Sequence, residues 1–154
     1  MFSATGIKYL NTSDTTKTTS IADSADKAFN RIDELKHLLD LKPAAAGKLL
    51  IARGYTKDPE KDKDGNDSYS GRTGSKVYLI RLHHTDIGYT TNQADSYNNL
   101  FNSVKKTGLK PLHMPDGTIT FSGLHSRYMV SFNTFKGKLI TTYNVWIFDP
   151  NKVK

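Results

Sequence analysis

Arg127-Tyr128-Met129-Val130-Ser131-Phe132-Asn133-Thr134-Phe135-Lys136-Gly137-Lys138-Leu139-Ile140-Thr141-Thr142-Tyr143-Asn144-Val145-Trp146-Ile147-Phe148 reads as two strands joined by a turn. Side chains alternate between the faces of a strand, so this stretch divides into two sets. With Lys136-Gly137 as a two-residue turn, Phe135 opposes Lys138. Tyr128 then faces Val145, Val130 faces Tyr143 and Phe132 faces Thr141, an apolar side. The other side pairs Arg127 with Trp146, Met129 with Asn144, Ser131 with Thr142 and Asn133 with Ile140. A slip of one residue exchanges the two sides, so the assignment depends on the turn.

Working outward, Val77–His84 is a third strand, with Tyr78, Ile80 and Leu82 on one side and Arg81 and His83 on the other. Thr118–Phe121 follows the turn Pro115-Asp116-Gly117 as a further strand. Asn92–Lys106 has helical spacing through Ala94, Tyr97, Leu100, Phe101 and Val104, and Gly108 ends it. Upstream, Ala25, Ala28, Phe29, Ile32, Leu35 and Leu39 predict a helix over 21–41 with Ser20 as its N-cap. Pro43 opens a second helix, Ala44–Arg53, and Gly54 stops it. Residues 55–75 are dense in Asp, Lys, Gly and Ser and read as a long polar loop. Residues 1–20 are rich in Ser and Thr and read as a flexible N-terminal arm ahead of a single domain, 21–154.

The expected fold class is α+β: two N-terminal helices packed on an antiparallel sheet of about four strands, with one inserted helix. In architecture alone this layout resembles that of small bacterial ribonuclease toxins. No sequence motif of such a family is present, and fold does not by itself carry function.

Composition excludes several chemistries. The chain has no cysteine, which removes disulfides, thiolate metal sites and a cysteine nucleophile. Glutamate occurs only at Glu34 and Glu60, so no glutamate base can come from the C-terminal strands. No apolar run approaches the ~20 residues that span a bilayer, and no signal-type apolar segment opens the chain. A cytoplasmic protein without a membrane partner is the expectation. The net charge of +7 favours an anionic partner, RNA or DNA first and an acidic protein second. The oligomeric state is left open.

The polar side of the strands supplies the candidate site. Arg81, Ser131, Thr142, Asn144 and Trp146 are assigned to substrate binding, and His83, His125 and Arg127 to catalysis. Arginines recognise phosphate, and two histidines beside a cation can transfer the protons of RNA cleavage without a metal. The expected function is therefore nucleic-acid-directed, most concretely a metal-independent endoribonuclease of bacterial toxin type. The alternative is a non-catalytic phage or mobile-element protein that binds nucleic acid or a host protein. Solvent-facing sheets that bind nothing carry the same residue types. No cofactor and no metal is expected. Glu60–Asn66 has calcium-loop spacing up to Gly65, but Gly71 stands where the bidentate carboxylate belongs. Neither Lys42–Leu49 nor Gly71–Lys76 has the glycine spacing of a phosphate loop.

Overall fold

The computed structural model describes residues 27–124, 126–149 and 151. The N-terminal arm, the start of the first predicted helix and His125 lie outside the described residues. The helices are α1 (Ile32–Asp40), α2 (Pro43–Ala52) and α3 (Ala94–Lys105). The strands are β1 (Thr56–Lys57), β2 (Asp67–Thr73), β3 (Lys76–Leu82), β4 (Asp86–Thr91), β5 (Lys110–His113), β6 (Ile119–Ser122), β7 (Met129–Lys136) and β8 (Thr141–Phe148). They form one 8-stranded sheet in the order β1-β2-β3-β4-β8-β7-β6-β5, with every pairing antiparallel.

This corrects the expected sheet of about four strands. The overlooked strands lack, or carry only briefly, the alternation that marks a strand half-buried in a core. In β2, Tyr69 is the buried residue amid Asp, Ser, Gly and Arg, so it reads as loop. In β4 the alternation Ile87-Tyr89-Thr91 is short, with Gly88 between its first two members, and β3 turns into it across only His83-His84-Thr85. All four residues of β5 are exposed, and it contains Pro111, which suits an edge strand.

The arrangement of the helices also differs. Residues 28–31 are not helical, so the apolar series from Phe29 to Leu39 is split. The break has a local cause: Glu34 Oε1 accepts the backbone N–H of both Asn30 and Arg31 at 2.9 Å, restarting the helix there. Pro43 opens α2 as its spacing predicts, and Gly54, at φ 98°, supplies the left-handed turn beyond its end. α1 and α3 lie together over β4 and β8, while α2 contacts β1. The helices are thus not simply an N-terminal pair laid on the sheet.

The core lies between these helices and one face of the sheet. Ile32, Leu35, Leu38 and Leu39 of α1 meet Tyr78, Ile80, Ile87 and Tyr89, and Leu100 and Val104 of α3 join them. Tyr97 and Phe101 set their rings edge-on against Phe132 at 5.6 and 5.1 Å. Tyr89 is buried with its hydroxyl satisfied. It accepts the Phe29 N–H at 3.2 Å and lies 2.7 Å from Ser96 Oγ, which donates to the Phe29 carbonyl at 2.5 Å. Burial pushes the Tyr89 phenol up to about 12.

The β7–β8 register departs from the expected one. Phe132 pairs with Val145 rather than Thr141, and Val130 with Ile147 rather than Tyr143. The connection is Gly137–Ile140, closed by the Gly137 N–H on the Ile140 carbonyl at 2.8 Å, and not a two-residue turn. The displacement is an even number of residues, so each side chain keeps its assigned face.

Candidate functional site

The face of the sheet opposite the helices carries most of the candidate polar side chains. Its positions pair in rows across the strands. One row runs Ser68, Arg81, Gly88, Trp146, Ser131, Thr120 and Leu112. The next runs Thr56, Ser70, Leu79, Thr90, Asn144 and Asn133. These side chains are half-buried or exposed rather than sealed, apart from Gly88. No carboxylate stands on this face along β2, β3, β6, β7 or β8, and Asp86 enters it only at the start of β4. Asp67 belongs to the opposite face by parity with Tyr69, where Lys61 and Lys57 hold its carboxyl below the usual range.

Gly88 fits the centre of this face. A Cβ there would stand 2.7 Å from Trp146 Cη2 and 2.8 Å from Cζ3. The indole of β8 therefore lies over the bare backbone of β4 and reaches toward β3. The Arg81 guanidinium carbon is 6.0 Å from the Trp146 ring centre, at the outer range of a cation–π contact. Arg81 Nη1 also approaches Thr90 Oγ1 at 3.5 Å, a long contact. Thr90 donates to Asn144 Oδ1 at 2.7 Å, and Asn144 Nδ2 donates to Asn133 Oδ1 at 3.0 Å. The result is an ordered polar lane beside an aromatic plate.

The five residues assigned to substrate binding share this face: Arg81, Ser131, Thr142, Asn144 and Trp146. His83 stands at its end, with its ring centre 5.6 Å from that of Trp146. His83 Nδ1 is 2.9 Å from Asp86 Oδ1, and Nε2 is 3.5 Å from Asp62 Oδ2. Neither approach is aligned as a hydrogen bond, which leaves His83 Nε2 and Asp86 Oδ1 buried without one. Burial raises the Asp86 carboxyl above the usual range, and His83 offsets this only in part. Asp62 is held below that range, chiefly by the backbone N–H of Asn66 and also by that of Asp64 and the charge of His83. Arg127 is directed elsewhere, its Nη2 donating to the buried Asp149 at 3.1 Å. His125 lies outside the described residues, so the pairing of two histidines has no geometry here.

Gly88, Thr90, Asp62 and Asp86 were not legible as members of this site. The alternation Ile87-Tyr89-Thr91 was the available signal for β4, with Gly88 and Thr90 between. Among the described residues, no three His, Asp or Glu side chains converge as a metal site. In the loop with calcium-like spacing, Asp62 Oδ1 instead takes the N–H groups of Asp64 and Asn66 at 2.9 and 2.8 Å. Among the described residues no helix is long and apolar enough to cross a membrane. No family model, no curated protein and no solved structure matches this chain.

Proposed function

We propose that the protein binds single-stranded nucleic acid across the open face of its sheet. The observation that carries this reading is the row Arg81–Gly88–Trp146 on a face whose strands carry no carboxylate apart from Asp86 at the start of β4. A base can stack on the indole, a guanidinium beside it can meet the phosphate, and the Thr90–Asn144–Asn133 lane offers hydroxyl and amide groups to base edges. Stacking of this kind contributes about 1–3 kcal/mol per base. The net charge of +7 adds a salt-dependent attraction to any polyanion. A cytoplasmic location, with no membrane partner, belongs to the same proposal.

Trp146 is the sole tryptophan and so reports on its own site. Titration with oligouridylate or oligothymidylate should quench its fluorescence, with affinity that falls as salt rises. Arg81→Ala should weaken binding, and Trp146→Ala should weaken it when followed by gel shift. Unchanged fluorescence and no gel shift at low salt would remove the reading.

A second reading, metal-independent RNA cleavage, is favoured by His83 standing beside Trp146 and Asp86. In that reaction the 2′-OH attacks phosphorus and gives its proton to a base, while the departing 5′-oxygen takes a proton from an acid. His83 would hold one role through Nε2 once Asp62 moves aside, and His125 the other. Intact transfer and ribosomal RNA after incubation with the protein would leave binding alone. An acidic host protein is the remaining candidate partner, and binding that RNA does not compete away would point to it.

A further inference from the structure

On the helix side of the sheet, α3 hands the chain to β5 through a turn that is tied in place. The Thr107 hydroxyl donates to the Val104 carbonyl at 2.6 Å and accepts the Leu109 N–H at 3.2 Å. Leu109 packs so closely on Gly123 that a Cβ there would stand 3.1 Å from its Cδ2. β5 follows as the last strand of the sheet, with Pro111 opposite Phe121. Phe121 is buried, and its ring meets that of Phe101 edge-on at 5.3 Å. Between α3, the turn and β5 lies a cleft of about 440 Å³.

The lining of this cleft divides by chemistry. Phe101, Leu109, Pro111 and Phe121 make an apolar floor. Lys105 reaches it from α3 and His113 from β5, both exposed, and Lys110 stands at the rim. Ion pairs between described residues use Lys36, Lys57 and Lys61, and none of these lines the cleft. Asp116 is the single carboxylate between Asp95 and Asp149, and its Oδ1 accepts the Thr118 N–H at 2.9 Å within its own turn. The carbonyls that end α3 are also occupied, Ser103 by the Lys106 N–H and Val104 by that of Thr107. The cleft therefore presents cations over an apolar floor, with no anion of its own.

We infer that this cleft binds a small aromatic anion, a flat ring carrying a phosphate or carboxylate. The ring lies on Phe101 and Phe121, and the charge meets Lys105 and His113. Small-molecule sites are clefts of roughly 300–1,000 Å³, mostly apolar, with a few polar groups that fix orientation. A benzene ring needs about 150 Å³, so this cleft holds a ring and its substituent. Lys105 Nζ is 5.8 Å from the centre of the Phe101 ring, which places the ammonium within reach of a group borne by a ring on that floor. Charge-assisted hydrogen bonds from Lys105 and His113 then select the anion. The site does not rest on the single-strand reading. Leu112 belongs to the row of Trp146 and alternates with Pro111 and His113, so the cleft and the row lie on opposite faces.

Nuclear magnetic resonance titration of the isotope-labelled chain tests it, with phenyl phosphate as the probe. Saturable shifts are expected at the amides of Leu109, His113 and Phe121. Lys105→Glu, at an exposed helix position, should weaken binding by about tenfold through loss of a charge-assisted contact, and His113→Gln should weaken it as well. Circular dichroism checks that both variants fold. Uridine 5′-monophosphate, titrated separately, distinguishes the sources of such a ligand. Binding by it assigns the cleft to nucleotides, and binding by phenyl phosphate alone assigns it to smaller aromatic acids. No saturable shift with either probe overturns the inference. So do shifts centred away from the cleft, equal shifts from inorganic phosphate or from neutral benzyl alcohol, or binding that Lys105→Glu leaves unchanged. Trp146 emission reports on the other face, so the cleft and the strand reading fail separately.

Discussion

Trp146 covers Gly88, and the fit leaves no space for even one methyl group, since a Cβ on Gly88 would meet the indole at 2.7 Å. The two residues are cross-strand partners, and Arg81 pairs with Gly88 from the other side. A glycine inside a strand costs stability and makes sense where another group must approach the backbone closely. Here that group is the only tryptophan of the chain.

Gly88→Ala should therefore lift the indole from the sheet. The expected outcome is a shift of the Trp146 emission spectrum without loss of the far-ultraviolet circular dichroism of the fold. If bases stack on the plate as proposed, oligonucleotide affinity should fall by about tenfold, the equivalent of ~1.4 kcal/mol and within the range of one base stack. An unchanged emission spectrum would mean that the plate does not depend on the glycine.

Part of this site could be read before the structure. The faces of β7 and β8 followed from alternation alone, and Ser131, Thr142, Asn144 and Trp146 stand on the assigned side although Phe132 pairs with Val145 instead of Thr141. Parity tolerates an even error in register, whereas pair identity does not. The four-residue connection at Gly137–Ile140 could not be told from a tighter turn, because Lys136-Gly137 has suitable chemistry for one. The sheet's width was hidden for a different reason. A strand announces itself by apolar residues every second position, and β2 and β5 bury too little to do so. His83 was legible as a polar-side residue, but its carboxylate neighbours were not, because Asp62 reaches it from a separate loop.

The Tyr89 hydroxyl joins sheet, α3 and the segment before α1 in one buried knot. Tyr89→Phe keeps the ring and removes the acceptor of the Phe29 N–H. Leaving a buried donor unsatisfied costs about 1–3 kcal/mol. Urea denaturation should show a loss of that size, with amides near Phe29 exchanging faster than those of β8. A variant as stable as the parent would show that water replaces the hydroxyl.

Phe132 is fully buried where β7 meets Tyr97, Phe101 and Phe121. Phe132→Ala should cost about 3–5 kcal/mol, the usual loss for a truncated core aromatic. Phe135→Ala, three positions along the same strand and 65% exposed, should change stability by less than about 0.5 kcal/mol. Chemical denaturation of the two variants side by side checks which of these phenylalanines belongs to the core.

The carboxylates on either side of His83 should respond to pH in opposite senses. Asp62 is held below its ordinary value of 3.8, first by the Asn66 N–H, so its ionised form favours the folded state. Its stabilisation is present above that value and is lost as pH falls through the lower folded value. Asp86 is raised above 3.8 by burial, so the folded state prefers its protonated form. Its contribution is fully favourable below 3.8 and is lost as pH rises through the higher folded value. Asp62→Asn should thus be less stable than the parent at neutral pH and converge with it in acid. Asp86→Asn should be more stable than the parent at neutral pH, because it removes a partly buried charge whose oxygen lacks an aligned donor. Urea midpoints measured from pH 3 to pH 8 decide the matter. If Asp86→Asn is destabilised at neutral pH, the 2.9 Å contact with His83 outweighs burial, and the carboxylate belongs to a working ion pair rather than to a strained one.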